Sequence, residues 1–458
     1  MSGIGMRGSE GLALTGVGGI ALVGNALFRY TDFRAAFTRT FHKGRGGIAW
    51  GDVLTPYVAS LATGKSDFEA LRPWFGQAWV AKALRIDRVA SPETLRQHLD
   101  NLADGHLDEA LQMVRQASLD LIRRSGASIT PCSTGHVCLD GDTTPQDNGK
   151  TKKEGVSRTY MPDVFGFAPM FVFAGVEGWC IREEFRPGKQ HGQKGATAVL
   201  RAAIQDLRSL GVELILIRLD SAFDAAENYS MAQGEGVDFL VKGNPAHVRW
   251  NWLEEAQALS GRAWTRTGRN RRETYLSRME MREFEGKQIP VRRVLKITKR
   301  LMWELEDVPP GQRLLLRRWP KYEMETWVTS LDLPGEKLFD LYCEHATAEQ
   351  YHAEIKSELD LERMPSGAFK TNALVLGLGM LAYNTLRLLG ILGKGVIRHR
   401  HPAKRHRMKT IIQELIQIPA RILRGSGQLK LDIGRALPGR EAFLALYRSL
   451  AAPFPSPA

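Results

Sequence analysis

Helical and strand-like hydrophobic patterns follow one another in blocks along this chain of 458 residues. Residues 1–130 are mostly helical in pattern. Ser66-Asp67-Phe68 and Ser91-Pro92-Glu93 each place a capping residue ahead of an amphipathic run, which predicts a helix start. The uncharged stretch 11–28 is glycine-rich and lacks a convincing cleavage site, so we interpret it as buried structure and not as a signal peptide.

From about residue 133 the pattern changes to three strands, then helix, strand, helix and strand. The run Val212–Asp220 is short and mostly apolar, as a central buried strand requires. This order predicts an α/β fold with a mixed sheet and helices on its faces. Predicted strands cover 137–144, 166–174, 177–185, 212–220 and 237–242, and predicted helices cover 193–210 and 224–233.

Residues 245–333 break this rhythm, with antiparallel strands predicted at 274–281, 288–298 and 322–331. A helix follows over 341–356, and a basic segment at 398–407 precedes more amphipathic helix. The predicted organisation is a helical N-terminal region 1–130, a core in two parts 131–244 and 334–395, a β-rich insertion 245–333, and a basic helical C-terminal region 396–458.

The composition is that of an ordinary soluble globular protein, with 43% hydrophobic and 25% charged residues. The apolar run 374–392 is interrupted by Asn384 and Arg387, which favours a core helix over a membrane span. We therefore expect no membrane partner.

Charge points to a polyanionic partner, most simply nucleic acid. The chain has 63 Lys and Arg against 50 Asp and Glu, for a net charge of +13 and a pI near 9.6. The alternative is that the positive charge serves only to keep the protein soluble. The N-terminal region is then either a DNA-binding domain or a helical flank, since no helix-turn-helix spacing is clear.

The four cysteines, Cys132, Cys138, Cys180 and Cys343, form no CxxC pair. Neither a zinc ribbon nor a redox motif is indicated. Reduced thiols in a cytoplasmic, nucleoid-associated setting fit this usage.

Two acids lie at the carboxyl ends of predicted strands, where open α/β sheets place their sites. They are Asp142 and Asp220, and a third acid, Glu349, follows on a helix. Three such carboxylates form a hard oxygen cage for Mg²⁺ or Mn²⁺, and two ions roughly 4 Å apart can act on a phosphodiester. A lone aspartate at a strand end more often caps a turn. Periodicity does not choose between Asp140 and Asp142.

The helix that carries Glu349 has a polar stripe. His345, Glu349, His352 and Lys356 fall at i, i+4, i+7 and i+11, so we expect them on one face that meets metal and phosphate. A zinc site from the two histidines and Glu349 is the weaker interpretation, because no cysteine cluster or HExxH spacing is present.

These residues resemble the three blocks of DDE transposases from bacterial insertion sequences. The blocks are Gly141-Asp142-Thr143-Thr144, Leu219-Asp220-Ser221 and Tyr342-x2-His345-x3-Glu349-x6-Lys356. The last is similar to the family's Tyr-x2-Arg-x3-Glu-x6-Lys signature, with His345 in place of its Arg. The run 359–367 also resembles the family, and the resemblance covers roughly residues 10–440.

The resemblance implies a ribonuclease H-like core that a β-rich insertion interrupts before the helix of the third acid. It implies that Asp142, Asp220 and Glu349 are the catalytic, metal-binding acids, with Asp142 chosen because it directly precedes the paired threonines. Tyr342 and Lys356 would contact DNA phosphates near the cut. His345 would offer one hydrogen bond where an arginine offers two.

The insertion holds Trp303, Trp319 and Trp327 among basic residues. In similar transposases an aromatic residue of the insertion stacks on a flipped base, which is physically sensible. The alternative for any one tryptophan is the core of the insertion. Further candidate phosphate contacts are Lys189, Lys194, Arg269, Arg271 and Arg272.

We therefore expect a metal-dependent DNA transposase that binds terminal inverted repeats, cleaves a strand, and joins its 3′-hydroxyl to target DNA. Bringing two ends together suggests a homodimer on DNA. The alternatives are a ribonuclease H-fold nuclease without strand transfer, and a DNA-binding derivative that is no longer catalytic.

Overall fold

A computed structural model gives the structure of the chain. It describes residues 12–42, 46–244, 251–259, 261–305, 316–394, 405–425, 428–435, 437 and 439–452. The side chains of 262, 303–305, 316–317 and 346–347 lie outside the description, as does most of the predicted basic segment 398–407.

The N-terminal region is helical, as the pattern predicts. Ser91 caps one helix through its Oγ, which accepts a hydrogen bond from the Thr94 amide at 3.2 Å. Asp67 caps a 3₁₀ helix, Phe68–Trp74, where an α-helix was predicted. The helices are α1 Ile20–Tyr30, α2 Phe33–Thr40, α3 Trp50–Leu61, α4 Ala78–Ala83, α5 Pro92–Gly105 and α6 Leu107–Ser125.

The predicted mixed sheet is confirmed. Its strands are β1 Val137–Thr143, β2 Met170–Ala174, β3 Trp179–Glu184, β4 Ile215–Leu219 and β5 Asp238–Lys242, with helices α7 Ala196–Ser209 and α8 Ala226–Glu235. They lie in the order β3-β2-β1-β4-β5, with β1, β4 and β5 parallel and β2 antiparallel to both neighbours. This is the ribonuclease H-like topology. All five residues of β4 are buried, as a central strand requires.

The insertion extends this same sheet. Helix α9, Asn251–Ala258, precedes β6 Thr265–Gly268, β7 Arg271–Phe284, β8 Lys287–Leu305 and β9 Leu316–Thr329. The last three are longer than predicted. Strand β9 pairs antiparallel with β5, with Trp327 opposite Lys242, so the four inserted strands and the five core strands form one sheet of nine.

The predicted single helix over 341–356 is divided into four segments. Helix α10, Gly335–Cys343, leads through a 3₁₀ turn, Glu344–Ala346, into α11, Thr347–Ala353, and then a π-helical turn, Glu354–Glu358. Each change of helix type alters the rotation per residue, so residues four or seven apart do not stay on one stripe.

The apolar run 374–392 lies in a core helix, α12 Phe369–Leu392. Among the described residues it is the one helix long and apolar enough to cross a membrane, and 94% of its most apolar window is buried inside the protein. The interrupting polar residues have partners. The Asn384 amide bonds both the N–H and the carbonyl of Cys180, at 3.0 and 2.8 Å, and Arg387 pairs with Glu354 at 2.8 Å.

The C-terminal region continues as α13 Met408–Ile411, β10 Ala420–Gly425, β11 Gln428–Ile433 and α14 Arg440–Ala451. Strand β10 also pairs with the short strand Leu14–Thr15. The two terminal regions of the described chain therefore pack together.

Candidate active site

Two aspartates meet at the carboxyl ends of the central parallel strands. The β1–β4 register ends at Gly141 opposite Leu219, so Asp142 and Asp220 are the next pair along. Neighbouring strands lie about 4.8 Å apart, and paired residues point to the same face. The predicted meeting of Asp142 and Asp220 thus follows from the strand register.

Backbone amides fix both carboxylates. The Thr143 N–H donates to Asp142 Oδ1 at 2.6 Å. The Ala222 N–H donates to Asp220 Oδ1 at 3.0 Å, so Asp220 also caps the 3₁₀ turn Ser221–Phe223. Asp220 therefore does have the capping role that a lone aspartate at a strand end usually has, and this hydrogen bond orients its side chain.

Two residues back along each strand, Asp140 of β1 lies opposite Arg218 of β4. The guanidinium donates Nε–H and Nη2–H to the two Asp140 oxygens at 2.7 Å each, and its Nη1–H to the Leu341 carbonyl at 2.8 Å. Burial disfavours the Asp140 charge, but Arg218 and His345 outweigh burial and hold the pKa of Asp140 below its ordinary value. Asp140 is therefore a neutralised internal acid, and Asp142 is the acid that faces outward.

Burial and neighbouring acids both act on Asp142. Burial and the nearby charge of Asp220 raise the pKa of Asp142 to about 7, against the opposing effects of His345 and the Thr143 amide, and Glu349 raises it further. Burial also raises the pKa of Asp220. A cluster of carboxylates that disfavour one another's charge is what a divalent cation would stabilise.

Glu349 is exposed on α11 and is held there by its neighbours. The Tyr351 hydroxyl donates to the Val176 carbonyl at 3.2 Å, and its ring lies where a Cβ on Gly178 would be 2.3 Å away. Glu354 is fully buried and accepts hydrogen bonds from Arg387 and Arg405 at 2.8 and 2.7 Å. These contacts fix the helical segment that carries Glu349.

Within the described ranges, no three His, Cys, Asp or Glu side chains already stand close enough to hold a metal ion. The chemistry of the residues nevertheless suits one, because Asp142 and Asp220 are neighbours at the strand ends and carboxylate oxygens are the ligands that Mg²⁺ and Mn²⁺ prefer.

Both histidines of the stripe that we expected to meet metal and phosphate are buried. His345 Nδ1 lies 2.9 Å from Asp140 Oδ1, behind the acids. The structure therefore places His345 as a partner of Asp140 and not at the surface, where the resemblance implied a DNA contact. His345 lies in the 3₁₀ turn Glu344–Ala346.

His352 lies beside Asp142. Its Nε2 is 3.7 Å from Asp142 Oδ2. Burial, together with the charges of His345 and Lys356, lowers the pKa of His352 to about 3. The imidazole is neutral at pH 7.

Tyr342 and Lys356 border the site. Burial and the charges of Asp220 and Asp142 raise the pKa of the Tyr342 hydroxyl. Lys356 Nζ donates to the Pro145 carbonyl at 2.7 Å and pairs with Glu362 at 3.0 Å. The amine is thus fixed beside the segment that follows β1.

Three further residues lie close to the acids and escaped the sequence analysis. Tyr160 is exposed as a whole, but its hydroxyl is partly buried and donates to the Thr143 carbonyl at 3.1 Å. The burial of the hydroxyl, together with Asp142 and Asp220, raises the pKa of Tyr160 to about 12. The positive charges of Lys242 and His191 act on Asp220. Lys242 is the last residue of β5, so the rule that sites lie at the carboxyl ends of parallel strands could have identified it.

The three tryptophans of the insertion occupy different surroundings. Trp327 is fully buried against Phe339 and Tyr342, which is the core role. Trp319 is 46% exposed. The backbone of Trp303 lies in β8, and its side chain lies outside the described part of the structure.

A basic recess opens at the far end of the inserted strands. Its volume is about 620 Å³, and it contains two aromatic rings, Trp264 and Tyr322, with centroids 6.4 Å apart. Its basic lining residues are Arg266, Arg269, Arg271, Arg272 and Lys299. Three of the predicted phosphate contacts, Arg269, Arg271 and Arg272, are thus brought together, whereas Lys189 and Lys194 lie elsewhere, in the segment before α7.

A ribonuclease H-like sheet with acids at adjacent strand ends, and a third acid on a helix after an inserted sheet, defines the class of DDE-type phosphodiester-processing proteins. The sequence model of the family described as Transposase DDE domain group 1 matches residues 10–453. The chain therefore belongs to this transposase family.

The chain is also similar to a cryo-EM structure of a piggyBac transposase synaptic complex with hairpin DNA, at a TM-score of 0.41 and 10% sequence identity. The match covers 95% of this chain and 83% of that chain. No curated protein sequence matches the chain.

Proposed function

We propose that this transposase moves a bacterial insertion sequence by binding its terminal inverted repeats, cleaving DNA strands and transferring them to target DNA. The observation that carries the proposal is the register of β1 and β4, which brings Asp142 and Asp220 to neighbouring positions at the carboxyl ends of the two strands, with the charge of Glu349 acting on Asp142. Acids that disfavour one another in this way are suited to divalent cations.

The three acids would hold Mg²⁺ or Mn²⁺, as two ions. When bound, such ions activate a water or 3′-hydroxyl and stabilise the leaving oxygen of a phosphodiester. The chain's own contribution is to hold the acids still. The amides of Thr143 and Ala222 orient the two aspartates, and the contacts of Tyr351 and Glu354 position the helix of Glu349.

The Asp140–Arg218 pair supports this arrangement from behind. An unpaired Asp140 would add a fourth negative charge within the core and compete for a cation. Because Arg218 and His345 neutralise it, the uncompensated negative charge stays at the strand ends.

DNA would approach along the positive residues that surround the acids. Lys242 and His191 act electrostatically on Asp220, and Lys356 lies beside the segment that follows β1. Strand β9, which pairs with β5 at Lys242, leads to the basic recess around Tyr322. Exposed Trp319 lies on the same strand. A net charge of +13 favours such a track. We further propose a homodimer on two transposon ends, acting in the bacterial cytoplasm at the nucleoid.

The test is incubation of the full chain with Mg²⁺ and DNA that carries the inverted repeats flanking its coding region. Products are sized on a denaturing gel, with a supercoiled target to capture strand transfer. We expect cleaved ends and joined products. Cleaved ends alone would indicate a nuclease, and binding without metal-dependent nicking would indicate a non-catalytic derivative.

Matched variants assign the chemistry. Asp142→Asn, Asp220→Asn and Glu349→Gln should each abolish cleavage and leave end binding largely intact. The control is Glu336→Gln, an exposed acid on α10, which should cleave normally. Normal cleavage by Glu349→Gln would refute that residue's role.

A further inference from the structure

The polar atoms of His352 are buried and unpaired. The residue is 6% exposed, and neither ring nitrogen has a hydrogen-bond partner among the described residues. The ring lies edge-on to Phe171 and Phe173, with centroids 5.6 and 5.4 Å away. Burying a polar ring without a partner costs free energy, so such a group calls for a physical explanation.

The nearest acid suggests what the explanation is. The distance of 3.7 Å from His352 Nε2 to Asp142 Oδ2 is too long for a hydrogen bond. Two ligands bound about 2.1 Å from one ion lie about 3.0 Å apart when adjacent and about 4.2 Å apart when opposite. The observed separation falls within that interval. It fits two groups that face one cation better than two groups that bind each other.

We propose that His352 is a fourth ligand of the cation that Asp142 holds, and that its imidazole gives the site a preference for Mn²⁺ over Mg²⁺. Imidazole binds borderline first-row ions well, whereas Mg²⁺ prefers oxygen ligands and its own waters. This inference rests on the proposed function, because it requires that the acids bind a cation.

The position of His352 makes this arrangement accessible. His352 follows Glu349 by three residues on α11, so the two residues occupy neighbouring positions on one helical face. The rings of Phe171 and Phe173 pack edge-on against the imidazole. His345 differs from His352, because its Nδ1 already has a hydrogen-bond partner in Asp140.

The experiment is Mn²⁺ binding to the full chain without DNA, followed by electron paramagnetic resonance. Electron spin echo measurements detect a directly bound imidazole nitrogen. We expect nitrogen modulation in the wild type and its loss in His352→Phe, whose ring suits the pocket of Phe171 and Phe173. Titration should show Mn²⁺ affinity falling about ten-fold or more in the variant, with Mg²⁺ affinity changed less than about three-fold.

Controls separate this inference from the proposed function. His106→Ala, an exposed histidine of the N-terminal region, should leave the signal unchanged. Asp142→Asn should weaken both ions. If the wild type binds neither ion, the metal site itself is wrong. Two results would overturn only the role of His352. In the first, the wild type binds Mn²⁺ in a manner that depends on Asp142 but shows no nitrogen signal. In the second, His352→Phe keeps the nitrogen signal. Should His352→Phe fail to fold by circular dichroism, His352→Gln serves instead and must lose the same signal.

Discussion

The buried pair of Asp140 and Arg218 allows the structural acid to be distinguished from the active one. The two side chains are only 5% and 6% exposed, and Arg218 donates two hydrogen bonds to the carboxylate and one to the Leu341 carbonyl. Within the described part of the chain, Arg218→Met would leave the carboxylate with the His345 ring as its side-chain hydrogen-bond partner. Breaking a buried ion pair on one side costs about 3–5 kcal/mol, and we expect a loss in that range.

A double variant gives the matched comparison. Asp140→Leu with Arg218→Met removes both charges, and the remaining cost is the unpaired Leu341 carbonyl and the His345 ring, about 1–3 kcal/mol. Urea unfolding followed by intrinsic fluorescence measures both free energies under one condition. If Arg218→Met alone costs less than about 1 kcal/mol, the pair is not what neutralises Asp140.

Three other predictions can be tested separately. The pKa of Asp142 is about 7 in the folded protein against an ordinary 3.8, so the metal-free protein should lose stability as pH rises from about 4 to 7. Asp142→Asn should remove this pH dependence of thermal unfolding, and an unchanged pH dependence would contradict the raised pKa. Arg269→Ala and Arg272→Ala should each lower the slope of log affinity against log salt for DNA by about 0.9, measured by fluorescence anisotropy, and an unaltered slope would place the DNA elsewhere. Trp327→Ala, at a fully buried position, should cost about 3–5 kcal/mol of stability, whereas Trp319→Ala should cost little and weaken DNA binding; equal stability of the two variants would refute the assignment.

Much of the core could be predicted from pattern. The apolar run of β4 and the acids that follow β1 and β4 are local features, and the rule that sites lie at the carboxyl ends of parallel strands brought Asp142 and Asp220 together. The helical N-terminal region and the buried helix α12 follow from the same kind of periodicity.

What escaped prediction depends on contacts between distant segments. The choice between Asp140 and Asp142 needed the β1–β4 register, which places Arg218 opposite Asp140. The burial of His345 and His352 needed the 3₁₀ and π-helical turns around α11, which no local propensity indicated. The insertion joined the core sheet through the pairing of β9 with β5, a contact between residues 85 or more positions apart.

The most direct test of the central claim is a crystal of the full chain soaked in Mn²⁺ and measured at the manganese absorption edge. The account predicts an anomalous peak in contact with carboxylate oxygens of Asp142, Asp220 and Glu349 together. Manganese bound elsewhere, or bound by fewer than two of these acids, would contradict it.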